Sequence, residues 1–527
     1  MKSRRFGWLA ALVCGLVIGW SPGSFAAAAP DWDGIWNDFT AYAQEVRAEW
    51  EVPGLTVAVV YQDEVIREGA FGVKRADRPD EPVTVETVFQ IGSISKSFTT
   101  TLVAMMVDEG HFGWRDRVVE LDPEFAMKDP WVTREFMVYD LMAQHSGLPA
   151  YAADFQAFLG FDRDHIMASL RHLEPVSSFR SKFAYVNNLF LVAARLVERS
   201  TGRSWEANLE KRIFQPMGMT ASGAGLEHLA QSGNRAAGHA KVDGRVSIRD
   251  VNWPYLDWVY TYGPAGGINA NVLDMAQWIR LHINEGQFEG ERLVSRESMN
   301  FMHTPHTIIT AADAGPLPPE TGPLQGRGMY YGQAWLAVET DYAPLVWHNG
   351  GTSGFATVAA FAPSEKLGVV VLTNLSGTTV PEILAQRLFD LYFGRQLVDY
   401  SQKALERRED QETATQPKAA VEPPRPPRPL AEYTGEYTNP VYATARVEKP
   451  DKGLTLTLGP EDYTARLVHV DGDRFKVSFE QLPEITGQVR FLTAETGRVE
   501  ALAADFLADE ANDGRFERIE ADRDAHQ

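Results

Sequence analysis

The order of strand-like and helix-like segments constrains this chain more than any other feature. "LTVAVVYQDEVIREGAFG", residues 55–72, holds two β-branched runs around Gln62-Asp63 and reads as a hairpin. Strand signals return only much later, in "YYGQAWLAV", "FATVAAFAP" and "LGVVVLTN". Between them, residues 130–215 carry mainly the helical period. Strands at both ends with helices between suggest one antiparallel sheet closed by the two chain ends, with a helical subdomain inserted. Two helices flank that sheet in sequence. "WDGIWNDFTAYAQEVRAEWEVPG" spaces Ile35, Phe39, Tyr42 and Val46 on one face, and "EILAQRLFDLYFG" closes the region. The expected class is therefore α/β (α+β) over residues 31–398.

A sharp change in composition follows. Residues 401–430, "SQKALERREDQETATQPKAAVEPPRPPRPL", are charge-rich and then proline-rich, and read as a semi-rigid extended linker. Residues 431–521 alternate apolar and polar residues, with Asp471-Gly472 and Asp513-Gly514 as turns, so a second, small all-β barrel is expected.

The first 28 residues stand apart. A basic start, an apolar run from Phe6 to Trp20 and small residues at Ala26–Ala28 describe a secretory signal peptide with its cleavage site. The single cysteine, Cys14, lies inside that run, so the mature chain has no disulfide and no thiol nucleophile. The expected location is the periplasm or the exterior, with no membrane span after cleavage. A net charge of −21 argues against a nucleic-acid partner.

Candidate chemistry begins in "FQIGSISKSFTT", residues 89–100. If Ser93 opens a helix, Lys96 lies one turn on and on the same face, where a neutral amine can take the hydroxyl proton. Ser95 and Ser97 lack that spacing to a following lysine. Ser-x-x-Lys arises by chance about once in a chain of this length, so its companions decide the matter. Tyr185-Val186-Asn187 stands at the mouth of a helix: a phenol beside an ammonium can have its pKa lowered and act as base, and an amide can hold a substrate carbonyl. A second Tyr-x-Asn, Tyr437-Thr438-Asn439, reads as ordinary turn chemistry. "WHNGGTSGF", residues 347–355, offers glycines that let backbone approach a ligand and an N–H that can complete an oxyanion hole. His303-x-x-His306 has no carboxylate at a metal-binding spacing and reads as a loop pair.

Taken in order, Ser93-x-x-Lys96, Tyr185-x-Asn187 and His348-Asn349-Gly350 resemble the serine β-lactamase and penicillin-binding-protein superfamily. More narrowly they resemble the class C β-lactamase-related esterases, carboxypeptidases and D-aminopeptidases. "VPGLTVAVV", "DLMAQHSGLP" and "GPAGGINANVLDMAQWI" fit the same group. The resemblance implies Ser93 as acylated nucleophile, Lys96 as its proton partner and Tyr185 as general base and then acid. It implies Asn187 at the substrate carbonyl, His348, Asn349, Gly350 and Gly351 lining the substrate site, and the N–H groups of Ser93 and Gly351 as oxyanion hole. No metal or organic cofactor is implied; the partner is a small-molecule or peptide substrate, and homo-oligomerisation is left open. His348 stands where the family often has the lysine of Lys-Thr-Gly, so the resemblance points to esters, amides or short peptides, including D-residue or cell-wall-derived ones. A stable acyl adduct or weak β-lactam hydrolysis is the alternative. The C-terminal part resembles lipocalin-like barrels appended to such hydrolases, which in relatives edge the active site or support oligomers.

Overall fold

The computed structural model describes residues 29–519 apart from 254–255, 311, 313–323, 415–423, 451–452 and 480–484. The expected signal peptide and Cys14 lie outside the described residues.

Eight antiparallel strands form the central sheet. β1 (Gly54–Tyr61) and β2 (Glu64–Gly72) make the first hairpin, and β3 (Thr307–Ile308), β4 (Gly328–Tyr331), β5 (Leu336–Glu339), β6 (Pro344–Gly351), β7 (Ala356–Ala362) and β8 (Leu367–Thr373) follow after the insertion. The spatial order is β3-β4-β5-β6-β7-β8-β1-β2, so the two chain ends meet where β8 pairs with β1. Gln62 and Asp63 turn the first hairpin with φ of 49° and 73°, a conformation that matches strand twist.

β1 is buried along almost its whole length because both sheet faces are covered. Leu55, Val57 and Val59 pack with α1 (Trp32–Glu49) on one face, while Ala58 and Val60 join the helical core on the other. α1 begins at Asp31, whose carboxylate accepts from Gly34 N at 3.0 Å, and it buries Phe39, Ala43 and Val46. The inserted region carries α2 (Ser95–Asp108), α3 (Asn188–Thr201) and α4 (Val272–Ile283), and α5 (Val380–Tyr392) returns beside α1. A single 3₁₀ turn, Gly92–Ile94, precedes α2 and carries Ser93.

The charged half of the expected linker is a helix, α6 (Tyr400–Ala414). Gln402 reaches Glu406 one turn on at 3.0 Å, and Ser401 is buried, accepting from Trp50 Nε1 and donating to Glu49. Helix-forming charged residues with one docking turn outweigh the extended preference inferred from composition.

The last eight strands, from Gly435–Asn439 to Arg515–Arg518, close into a barrel as a separate small domain. Gly472 and Gly514 turn with φ of 55° and 65°. Asn439 Oδ1 accepts from Val441 N and Tyr442 N, the turn chemistry expected of it, while Tyr437 is buried with its hydroxyl on Tyr433 O at 2.7 Å.

Candidate active site

From Ile91 to Thr100 only Ser93 retains exposure; its neighbours are all buried. Ser95 Oγ accepts from Ile268 N at 3.1 Å, and Ser97 Oγ donates to Ile94 O and accepts from Trp278 Nε1. These two hydroxyls hold the helix in place, and Ser93 alone faces open space.

Lys96 is fully buried, with Nζ 3.1 Å from Ser93 Oγ and 2.8 Å from Ala265 O. Burial lowers its pKa to about 7, against a smaller upward pull from Asp154. A neutral amine has two hydrogens and one lone pair. With one N–H given to Ala265 O, the lone pair can turn to the Ser93 hydroxyl and accept its proton.

Tyr185 lies beside the amine, its ring centroid 4.7 Å from Lys96 Nζ, and its hydroxyl is near enough to Ser93 for the serine to act on its pKa. The lowered phenol pKa expected from sequence is not found. Burial, then the nearby Tyr331 and Tyr151, push it well above its ordinary value, and a half-neutral amine cannot offset that desolvation. Tyr185 therefore holds its proton more tightly than a free phenol does.

Asn187, half-buried, donates from Nδ2 to Asp154 at 2.5 Å. Its successor Asn188 begins α3 and is tied to Ala152 O at 2.9 Å, so the start of α3 fixes both the amide and the facing 151–154 segment.

β5 pairs with β6 only as far as Trp347, so His348–Gly351 runs past its neighbour and presents a locally free edge. That edge lies against the nucleophile turn. Gly92 has φ of 54°, and a Cβ there would sit 2.7 Å from Gly351 N. Gly351 itself is exposed, with open space where a Cβ would be. The Ser93 and Gly351 amides are thus brought to adjoining backbone, as an oxyanion hole requires.

Strand alternation divides the rest of this stretch. His348 turns inward: Nε2 is 3.0 Å from Tyr331 Oη, the ring is 6.2 Å from that of Tyr185, and burial lowers its pKa to about 3, leaving it neutral. Asn349 turns to the opposite face and donates to Glu382 of α5 at 2.9 Å. The Asn349 side chain is thus engaged away from His348, and what this residue brings toward the nucleophile turn is its backbone in β6. His303 and His306 also part company, toward His282 and Phe301 O respectively.

Three contributors were not read from the sequence: the Ala265 carbonyl, Tyr331 and Asp154. The first is backbone and the second sits in a strand signal. Asp154 is a lone acid in the turn-rich "LPAYAADFQAF". The one local sign of it is backbone strain, since Tyr151 and Ala153 both take positive φ, at 59° and 55°.

A half-exposed serine on a helix-opening turn, a buried neutral amine in contact with it and a phenol beside both define a serine hydrolase. The comparisons agree. A family model described as beta-lactamase matches residues 39–392, and one described as a domain of unknown function (DUF3471) matches residues 419–520. An unguisins hydrolase of Aspergillus campestris is 25% identical over 437 residues, covering 78% of this chain and 77% of that protein. Penicillin-binding protein 4 of Amycolatopsis lactamdurans is 27% identical, over 64% of this chain and 90% of its own length. An octameric penicillin-binding protein homologue from Pyrococcus abyssi shares the fold, with a TM-score of 0.59 at 21% identity, covering 91% of this chain and 99% of that one. The chain belongs to the beta-lactamase family and carries an appended C-terminal β-barrel.

Proposed function

We propose that this protein is an exported hydrolase that cleaves amide or ester bonds of small substrates through an acyl-enzyme on Ser93. The observation that carries this reading is the Ser93–Lys96 contact at 3.1 Å, with the amine held near neutrality by burial. Ser93 Oγ forms a bond to the substrate carbonyl carbon while its proton passes to Lys96 Nζ, and the carbonyl electrons move to an oxygen held by the Ser93 and Gly351 amides. Collapse of this intermediate breaks the bond to the leaving group. The leaving group takes the Tyr185 proton, and Lys96 restores that proton to the phenol. Water then retraces these steps to free Ser93.

The neutral, buried His348 supports substrates without a carboxylate at that position: short peptides, including D-residue or cell-wall-derived ones, and carboxylic esters. A relative named for hydrolysis of unguisins lends support to a hydrolytic role on a small substrate. Export rests on residues 1–28 acting as a cleaved signal, which places the enzyme in the periplasm or outside the cell.

A hydrolysis panel of p-nitrophenyl esters, D- and L-aminoacyl amides, linear peptides and nitrocefin tests this. Steady turnover of an ester or amide, lost in Ser93→Ala, is expected. One equivalent of product followed by a stop would replace the enzyme with a stably acylated penicillin-binding protein. N-terminal sequencing of protein recovered outside the cytoplasm checks export, with a start after Ala26–Ala28 expected.

A further inference from the structure

Asp154 is a half-exposed residue whose carboxylate oxygens are both committed to the interior. One accepts from Asn187 Nδ2; the other, Oδ1, is buried and has no hydrogen-bond partner among the described residues. The Tyr262 hydroxyl is likewise buried without one. An orphaned carboxylate oxygen is costly in a folded protein and signals a role beyond packing.

The surroundings of this carboxylate come from several elements. Lys96 faces it from α2, Asn187 and Tyr185 from the start of α3, and Tyr262 from the segment before α4. Tyr151 faces it from its own segment. The barrel supplies Tyr442 and Asp509. Burial pushes the Asp154 carboxyl up to about 7, against the smaller downward pulls of the Asn187 bond and of Lys96, so the acid and the amine titrate over the same range as one buried pair.

The barrel also holds the segment that carries Asp154. Asp509 accepts from Ala153 N at 2.7 Å, and Gln156 Nε2 donates to Val441 O at 2.8 Å. Phe155 packs on Phe506 with ring centroids 6.0 Å apart. With Tyr151 and Ala153 in strained conformations, these ties fix the carboxylate against Asn187.

We infer that Asp154 is a positioning residue for the acyl-transfer reaction: its hydrogen bond sets the orientation of the Asn187 amide, and its buried carboxyl, when ionised, biases Lys96 toward the ammonium. The inference rests on the reading of Ser93 as nucleophile. A carboxylate next to the amine favours the ammonium, so its removal eases loss of the Lys96 proton and extends the neutral, base-competent form to lower pH. The Asn187 bond has a separate effect. With Nδ2 engaged by Asp154, the amide presents a fixed edge to the substrate carbonyl.

The test is the rate of Ser93 labelling by an alkyl fluorophosphonate, measured on the full chain from pH 5 to pH 10. The wild type is expected to react with a midpoint near pH 7, where the buried pair of Lys96 and Asp154 titrates. Asp154→Asn keeps the acceptor for Asn187 and removes the charge; its midpoint should fall by about one pH unit while the plateau rate stays within roughly tenfold. Asp154→Ala removes both, and should show the same midpoint shift with a lower plateau. An unchanged midpoint in Asp154→Asn, with the wild type labelling normally, overturns the role of Asp154 alone. Failure of the wild type to label at Ser93 overturns the nucleophile assignment and this inference with it. Loss of stability without a midpoint shift marks a merely structural residue and also refutes the inference.

Discussion

Gly92→Ala offers a quantitative check on how the oxyanion side of the site is built. Gly92 precedes the nucleophile and has φ of 54°, where an L side chain costs about 1–2 kcal/mol. Its added Cβ would stand 2.7 Å from Gly351 N and 2.9 Å from Gly350 C and Gly351 O, all backbone. Restoring ordinary contact at about 3.4 Å requires β6 and the Ser93 turn to separate by roughly 0.7 Å, and overpacking of this kind adds about 1–3 kcal/mol. The total destabilisation is therefore about 2–5 kcal/mol. A shift approaching 1 Å between reacting groups costs on the order of 10–100-fold in rate. Gly110→Ala is the matched control: φ is 76°, and nothing lies within 4 Å of the new Cβ. It should lose only the conformational 1–2 kcal/mol or so and none of the activity. Urea denaturation reads the stability of both variants, and the fluorophosphonate labelling rate reads the site. A Gly92→Ala protein that labels at the wild-type rate would refute the placement of the β6 edge against the nucleophile.

Other substitutions separate chemistry from architecture. Ser93→Ala should abolish labelling with little change in stability, whereas Ser97→Ala should retain labelling and lose about 1–3 kcal/mol, because Trp278 Nε1 is left without its acceptor. Lys96→Met should abolish labelling and raise stability at pH 7. The folded-state pKa of Lys96 lies near 7, below its unfolded value of about 10.4, so the unfolded chain holds the proton more tightly and wild-type stability rises with pH across that window. The gain from Lys96→Met is up to about 5 kcal/mol at pH 7, reduced by the lost bonds to Ser93 and Ala265 and by the loss of the cation facing Asp154, and urea midpoints should show it shrinking toward pH 10. Asp140→Ala should destabilise by about 3–5 kcal/mol, since the buried carboxylate serves His145 at 2.7 Å and Arg180 through both Nε and Nη2; thermal unfolding checks this.

The sequence made the nucleophile legible because one-turn spacing is a local property. Ser93 and Lys96 fall on one face of any helix started there, and Ser95 and Ser97 do not. The hairpin at Gln62-Asp63 and the alternating strands of the barrel were equally local. What sequence did not show depended on burial and on distant contacts. The phenol of Tyr185 was expected to be acidic beside an ammonium, yet the same burial that neutralises Lys96 also pushes the phenol up. Asn349 was placed at the substrate site by the resemblance of His348-Asn349-Gly350 to the family's Lys-Thr-Gly; within β6 its side chain alternates away from His348 and meets Glu382. Residues 401–430 read as linker from their charge-rich and then proline-rich composition, while the burial of Ser401 against Trp50 depends on a partner over 300 positions away. Asp154 has no pattern at all; its significance comes from Asn187, Lys96 and a barrel that lies far along the chain.

The most direct test of the mechanism is to trap and locate the covalent intermediate. A slowly released ester or penicillin is mixed with the full chain, quenched in acid, digested and mapped by mass spectrometry. The account predicts one acyl group on the peptide containing Ser93, absent in Ser93→Ala together with turnover. An adduct on any other residue, or undiminished hydrolysis by Ser93→Ala, would contradict it.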